Sequence, residues 1–124
     1  MTPASADRSL ALIVRNPPYS QRAARADLDL ALAAAAMDCR LEVYFLGSAV
    51  LQLSARRDSS AALLPPGYKA WAALPDLADF SIFGEQQWLD RCALASIELI
   101  LPVSGLQAEQ MSASWRLCHH VLVL

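Results

Sequence analysis

The amino-acid sequence predicts an α/β fold: a single domain over residues 1–124, built on a mainly parallel five-stranded sheet. Two observations support this fold class: five runs have strand length, and helix-like segments separate several of them, as in parallel sheets with crossover helices. The chain of 124 residues suits one domain and allows a core without disulfides. The predicted strands are Leu10–Val14, Leu41–Leu46, Phe80–Phe83, Ile97–Val103 and His120–Leu124.

The segment between the first two strands, Gln21–Met37, is rich in alanine and leucine and predicts one helix. Ser20 precedes it and is placed to accept hydrogen bonds from the first free backbone N–H groups. The long polar segment 54–67 predicts a loop of the kind that often contacts partners. The other predicted helices are Gly47–Leu53, Tyr68–Leu74, Glu85–Leu94 and Leu106–Leu117.

The composition restricts the function classes. Hydrophobic residues make up 56% of the chain and charged residues 18%, against averages of roughly 45–50% and about 25% in soluble domains. This apolar surplus predicts a subunit interface, or self-association when the chain is alone. The net charge of -2 disfavours direct binding of nucleic acid.

The compartment is predicted to be cytoplasmic. The longest apolar stretches fall short of the ~20 residues that span a bilayer, and the first residues lack the pattern of an export signal. The odd number of cysteines, far apart in the sequence, suits reduced thiols better than a disulfide framework. These cysteines are Cys39, Cys92 and Cys118.

Motifs for cofactors, metals and hydrolytic catalysis are missing from the sequence. The four glycines match neither the dinucleotide fingerprint nor the phosphate-binding P-loop, so we predict no cofactor. No Gly-flanked serine elbow accompanies the adjacent His119 and His120. Cys118 and His120 would share one face of the last strand, but without a Cys-x-x-Cys pair they predict no metal site.

Ligands of doubly wound sheets bind beyond the carboxyl ends of the strands. The predicted site loops are therefore Arg15–Ser20, Gly47–Val50 and Gly84–Gln87. Trp88, in the helix after the last of these loops, is a predicted partner contact, since aromatic residues anchor interfaces.

Charged side chains cluster after the first strand. Arg15, Arg22 and Arg25 predict contacts with a partner or a small anion. Asp27 and Asp29 are two apart on the helix and point in different directions, so they are not a general acid/base pair. We interpret them as solvated or interface charges.

A sulfur carrier requires a reactive thiolate in a loop or at a helix N-terminus, where the helix dipole lowers its pKa. Cys39 follows an acidic residue, and Cys92 lies near the end of its predicted helix, which is the unfavourable pole. Cys118 lies in the turn into the last strand. None of the three matches these requirements well, and Cys92 and Cys118 are the fallback persulfide candidates.

The sequence resembles the TusC/DsrF family along nearly its whole length. The similarity begins with "LALIVRNPPYSQRAARADLDLALAAAAMDCRLEVYFLGSAVLQL", in which "FLGSAVLQL" is the most specific piece. It continues through "DFSIFGEQQWLDRCA" and "IELILPVSGLQAEQMSASWRLCHHVLVL".

This resemblance implies a single three-layer α/β/α domain of the DsrEFH-like type, working in a hetero-oligomer of three homologous subunits. The implied complex passes persulfide sulfur toward tRNA 2-thiouridine or in sulfur oxidation. The implied partners are TusD/DsrE-like and TusB/DsrH-like subunits and a TusE/DsrC-like acceptor. In the TusD/DsrE subunit the accepting cysteine ends the third main strand, and that position corresponds to Gly84 or a neighbour here. A thiol introduced at Gly84 is therefore predicted to be exposed near a helix N-terminus.

The sequence accordingly favours a noncatalytic subunit of a sulfur-relay complex, without catalytic residues or activity of its own. Two alternatives remain open. One is an active sulfurtransferase that uses Cys92 or Cys118. The other is a stand-alone homo-oligomer that binds a small anion near Arg15, Arg22 and Arg25.

Overall fold

A computed structural model describes residues 9–16, 22–37, 40–54, 71 and 79–124. In these residues three α-helices, one 3-10 helix and five strands alternate. The elements in chain order are β1 Ser9–Val14, α1 Arg22–Ala36, β2 Arg40–Phe45, the 3-10 helix Gly47–Leu53, β3 Phe80–Glu85, α2 Gln86–Leu94, β4 Ser104–Leu106, α3 Ala108–Trp115 and β5 His120–Val123. The predicted elements agree with these within about two residues, except at two places.

The five strands form one parallel sheet in the order β4-β3-β2-β1-β5. In the register of the central pair, Leu12 lies beside Val43 and Val14 beside Phe45. The predicted α/β fold with a mainly parallel five-stranded sheet is thus confirmed. All strands point the same way, so their carboxyl ends meet at one edge, the carboxyl edge.

The predicted fourth strand, Ile97–Val103, is wrong: the strand in this position is Ser104–Leu106. Leu99 instead forms an isolated antiparallel bridge with Ser54, and the Ile100 N–H donates to the Leu53 oxygen at 2.7 Å. Ile97, Leu99 and Leu101 pack against the core from outside the sheet. Apolar character alone does not distinguish these two ways of burying a short segment.

The second exception is the predicted helix Tyr68–Leu74, which lies outside the described residues apart from Trp71. This indole is 1% exposed and meets the Phe45 ring edge-on at a centroid distance of 5.2 Å. Trp71 therefore belongs to the core, as an aromatic residue in an apolar segment is expected to do.

One face of the sheet carries the larger core. Alternating residues of β2, Leu41, Val43 and Phe45, are fully buried there. They pack with α1, α2 and the 3-10 helix. Alanines 31, 34 and 35 of α1 are also buried, and their small side chains allow the helix to lie close to the strands.

The opposite face is covered by α3. Met111 of this helix packs over Ala11, Ile13 and Tyr44. The Tyr44 ring stacks on Phe83 at 4.9 Å and meets the Trp115 ring edge-on at 5.5 Å. Helices on both faces give the three layers that the resemblance implies.

Candidate functional site at the carboxyl edge

The three predicted site loops follow strands that lie side by side. β1 continues into Arg15 and Asn16, β2 into Leu46 and Gly47, and β3 into α2. The Leu46 N–H donates to the Val14 oxygen at 2.9 Å and extends the pairing of the first two strands by one step. Residues 17–20 of the first predicted loop lie outside the described residues.

The end of β2 and the end of β3 are joined through Gly47 and Glu85. Gly47 has a φ of +56°, a left-handed conformation that glycine adopts without steric cost. Its backbone N–H donates to the Glu85 Oε2 atom. Glu85 is the residue before α2 and makes no capping bond to that helix. Its carboxylate instead accepts the hydrogen bond from Gly47, at the end of the neighbouring strand β2.

Trp88 and Arg91 of α2 extend this site over the helix surface. A Cβ atom on Gly47 would lie 3.8 Å from Trp88 Nε1 and 3.9 Å from Glu85 Oε2, so the indole and the carboxylate both border the glycine. The Arg91 guanidinium lies over the Trp88 ring, 4.7 Å from its centroid. This cation–π pair holds a positive charge and an aromatic face together at the edge of the domain.

Gly84 lies inside β3, one residue before the junction with α2, and it is buried. A Cβ atom there would lie 3.1 Å from Val103 Cγ1 and 3.5 Å from both Leu89 Cδ2 and Val50 Cγ2. A thiol on this position would therefore be enclosed by apolar side chains. The expectation of an exposed thiol at Gly84 is wrong in this fold, and the next residue, Glu85, is the partly exposed one at this junction.

The paired glycine on β4, Gly105, allows α2 to begin close to the sheet. A Cβ atom on Gly105 would overlap with Gln86 Oε1. The Gln86 amide also donates to Asp90 Oδ1 at 2.8 Å, which holds it along the helix. Glycine on β4 thus leaves room for the first side chain of α2.

A buried polar cluster lies at the other half of the carboxyl edge. Asn16 Nδ2 donates to both carboxylate oxygens of Asp27, at 3.1 and 3.0 Å. Gln52 Nε2 donates to Asp27 Oδ2 at 3.2 Å and to the Asn16 backbone oxygen at 2.7 Å. Asp27 is 3% exposed and Gln52 1%. This cluster connects the end of β1, helix α1 and the 3-10 helix.

The sequence interpretation of Asp27 as a solvated or interface charge is wrong. Burial raises the pKa of the Asp27 carboxyl, while the hydrogen bonds from Asn16 and Gln52 lower it in part. Helical periodicity is the signal that could have found this residue. Asp27, Ala31 and Ala34 lie on one stripe at i, i+4 and i+7, and the stripe faces the core. Asp29 is exposed, as expected.

The three predicted arginines do not come together as a described site. Arg15 Nε donates to the backbone oxygen of Leu124 at 3.1 Å, so this guanidinium fastens the end of β5 beside β1. The side chains of Arg22 and Arg25 lie outside the described residues. Their contact with an anion or a partner stays a prediction.

The two cysteines that the structure describes, Cys92 and Cys118, lie in surroundings that disfavour the thiolate. Cys92 is 4% exposed within α2, and burial raises the pKa of its thiol. Cys118 is half-buried, and burial raises the pKa of this thiol as well, with a further increase from the charge of Glu42. Cys39 lies outside the described residues. A raised pKa leaves less thiolate at neutral pH.

Metal-ligating side chains do not gather in the part of the chain that the structure describes: no three of His, Cys, Asp and Glu lie together there. Cys118 precedes β5 by two residues, and His120 is the first residue of that strand. The two therefore do not share a strand face, contrary to the sequence expectation.

Comparison with known proteins identifies the family of this chain. The model of the DsrE/DsrF-like family matches residues 8–124. This chain belongs to the DsrE/DsrF-like family. Membership implies a function related to sulfur relay, and proteins of the family generally work in complexes with related subunits.

A solved structure agrees with this assignment at the level of the fold. The chain is similar to the crystal structure of the YchN protein from E. coli, with a TM-score of 0.76 and 13% sequence identity. The match covers 94% of this chain and 99% of that one. A search of curated proteins gave no match. Among the helices of the described ranges, none has the length and hydropathy needed to cross a bilayer.

Proposed function

We propose that this DsrE/DsrF-like protein is a noncatalytic, TusC/DsrF-type subunit of a cytoplasmic sulfur-relay complex. In this role it supports persulfide transfer, toward tRNA 2-thiouridine or within sulfur oxidation, without carrying the sulfur. The observation that carries the proposal is the junction of β3 and α2, where Gly84 and Glu85 occupy the positions at which the resemblance places the thiol of a sister subunit.

The chemistry of this junction is unsuited to sulfur transfer by this chain. Glycine has no side chain to accept sulfur, and a carboxylate cannot take part in exchange between sulfur atoms. The Glu85 carboxylate also occupies the Gly47 N–H, a donor that would otherwise be available to a developing anion. The position therefore serves packing and hydrogen bonding.

The two described cysteines support the same proposal. Thiol exchange proceeds through the thiolate, and burial raises the pKa of both Cys92 and Cys118. An active sulfurtransferase using either residue is thus the less favoured alternative. An anion-binding homo-oligomer is less favoured too, because Arg15 is bonded to the backbone of Leu124.

The proposed partners are TusD/DsrE-like and TusB/DsrH-like subunits, with a TusE/DsrC-like protein as the sulfur acceptor. In this proposal residues 1–124 act as one domain, and Trp88 with its Arg91 partner contacts a neighbouring subunit. Large hydrophobic side chains exposed on the isolated chain support association. They are Met37, Leu94, Leu117, Val121, Leu122 and Val123.

The deciding experiment replaces Cys39, Cys92 and Cys118 by serine, together and singly, in the reconstituted complex. Relay of sulfur to the acceptor is expected to stay within a few fold of wild type, because a hydroxyl destroys a carrier but only perturbs the packing of a structural thiol. Complex assembly is measured beside relay. A single variant that assembles normally and delivers no sulfur would identify a carrier and refute the noncatalytic role.

The association part of the proposal has its own test. The isolated chain is expected to form homo-oligomers or to be poorly soluble, and to gain thermal stability when it is co-expressed with the two related subunits. Trp88→Ala should weaken assembly more than Glu109→Ala, a truncation at an exposed position of α3. An isolated chain that stays monomeric and soluble at high concentration, and whose thermal stability does not change with either subunit, would contradict the proposed association.

A further inference from the structure

A second polar cluster surrounds a pocket of about 330 Å³ on the α3 face of the sheet. Ser9 and Arg40 begin β1 and β2, so the pocket lies at the opposite end of the strands from Gly47. Glu42, on β2, precedes Gly47 by five residues, a separation of roughly 16 Å for extended chain. The pocket is therefore distinct from the carboxyl-edge site. Its lining is Ser9, Arg40, Glu42, Ser114 and His119, with Phe83 and Leu117 as apolar walls.

One side of the pocket presents hydrogen-bond acceptors. The Tyr44 hydroxyl donates to Glu42 Oε1 at 2.6 Å and lies 2.6 Å from Ser114 Oγ. A phenol has one proton, which Glu42 receives, so Ser114 must donate its own proton to Tyr44. The Glu42 carboxylate also accepts from the Cys118 thiol. The remaining lone pairs of this carboxylate and of Ser114 Oγ can accept from a ligand. Tyr44 is fully buried and holds both groups in place.

The other side presents donors. The backbone N–H of Ser9 donates to His119 Nδ1 at 3.3 Å, and the His119 N–H donates to Ser9 Oγ at 3.0 Å. These bonds assign an unprotonated Nδ1 and place the ring proton on Nε2. Arg40 adds a guanidinium with five N–H donors, half-exposed at 48%.

The Arg40–Glu42 ion pair is loose. The Arg40 Nε atom lies 3.8 Å from Glu42 Oε2, whereas a charge-assisted hydrogen bond is about 2.7–2.9 Å long. Neither charge is fully satisfied by the other, and both line the same pocket. A molecule with one positive and one negative group can bond to each of them without leaving either charge unpaired.

We propose that this pocket binds a small zwitterion, an α-amino acid with an apolar side chain. Its ammonium group donates to Glu42 and Ser114, and its carboxylate accepts from Arg40 and His119. Its side chain lies between Phe83 and Leu117. This inference is independent of the proposed role in sulfur relay, because it uses none of the residues at the carboxyl edge.

The test is equilibrium dialysis of the full chain, alone or in its complex, against radiolabelled L-valine. Isobutylamine and isovalerate, which each keep only one of the two charges, serve as competitors. Saturable binding of one valine per chain is expected, with each competitor at least about tenfold weaker than unlabelled valine, since each loses one set of charge-assisted bonds. Absence of saturable binding overturns the proposal. Competition by isovalerate or isobutylamine that is as strong as competition by unlabelled valine also overturns it.

Two variants test whether valine binds in this pocket and not elsewhere on the chain. Glu42→Gln keeps an oxygen that accepts from Tyr44 and removes the charge, and Arg40→Gln changes a half-exposed residue that folding tolerates. Each is expected to weaken valine binding about tenfold or more. The matched controls Glu109→Gln and Arg116→Gln remove the same charges from exposed positions of α3 and its end. Controls that weaken binding as much as the pocket variants overturn the assignment of the site.

Discussion

The two polar clusters of this domain use similar side chains for different purposes. At the carboxyl edge, Asn16, Asp27 and Gln52 form a cluster in which the acid and Gln52 are almost completely buried. At the amino end, Glu42 and Ser114 are only partly buried and face an open pocket. In both clusters a carboxylate accepts hydrogen bonds from neutral side chains.

The difference lies in access to water. A buried acceptor has to be satisfied by protein donors, so the Asp27 cluster stabilises the fold and has little capacity left for a ligand. An acceptor beside a pocket can exchange water for a ligand group at small cost. Burial, and not residue type, therefore distinguishes the structural cluster from the candidate binding cluster.

The largest effect is expected from removing the buried acid. Asp27→Ala removes the acceptor of the Asn16 amide and one acceptor of the Gln52 amide, and it should lower the free energy of unfolding by about 3 kcal/mol. Asp29→Ala, two residues along the same helix but exposed, should cost less than about 1 kcal/mol. Urea denaturation of both variants measures the difference. Equal losses would show that the two acids share one environment.

The next effect compares thiols introduced at the β3–α2 junction. Glu85→Cys places a thiol before the N-terminus of α2, whereas Gly84→Cys places one among Val50, Leu89 and Val103. The thiol at 85 should alkylate at least about tenfold faster, because the helix dipole lowers its pKa and burial protects the other. Peptide mapping after timed alkylation measures the alkylation rate of each introduced thiol separately from those of the native cysteines. A faster reaction at 84 would contradict the buried placement of Gly84.

A smaller effect is expected in the amino-end cluster. Tyr44→Phe removes the hydroxyl between Glu42 and Ser114, but both former partners can reach water in the pocket. The loss in unfolding free energy should be about 1 kcal/mol, clearly below that of Asp27→Ala under the same denaturation conditions. A loss as large as that of Asp27→Ala would mean that the pocket is closed to water.

The smallest effect is the pH dependence due to Asp27. Its pKa is raised in the folded state, so the folded protein binds more protons than the unfolded chain between the ordinary carboxyl pKa of 3.8 and the raised value. Stability from this group therefore increases as the pH falls through that window. The difference in unfolding free energy between wild type and Asp27→Asn should shift in favour of wild type on acidification. An opposite slope would indicate a lowered pKa.

Local patterns were sufficient for most of the fold. Alternation in Leu41, Val43 and Phe45 marks a strand with one buried face, and the alanine-rich run before it marks a helix. Both properties depend on residues close in sequence. The apolar run Ile97–Val103 shows the limit, since a short buried segment satisfies the same pattern whether or not it joins the sheet.

The candidate site was predicted only in outline. Loops at the carboxyl ends of parallel strands follow from topology, so the sequence predicts only that Gly47 and the region of Gly84 lie at the same edge of the sheet. Their chemistry did not follow. A shift of one residue between Gly84 and Glu85 separates an enclosed position from a partly exposed one. Boundaries are the least certain part of a sequence prediction.

By itself the sequence determined the α/β class, the order of strands along the chain and the shortage of motifs for cofactors. Only the tertiary structure decided which polar side chains meet. Ser9 and His119 are 110 residues apart, and Asp27 finds Gln52 only because α1 and the 3-10 helix pack on the same sheet face. The reason is physical: hydrophobic periodicity is local along the chain, whereas the hydrogen bonds that satisfy a buried polar group come from any element that folding brings within about 3 Å.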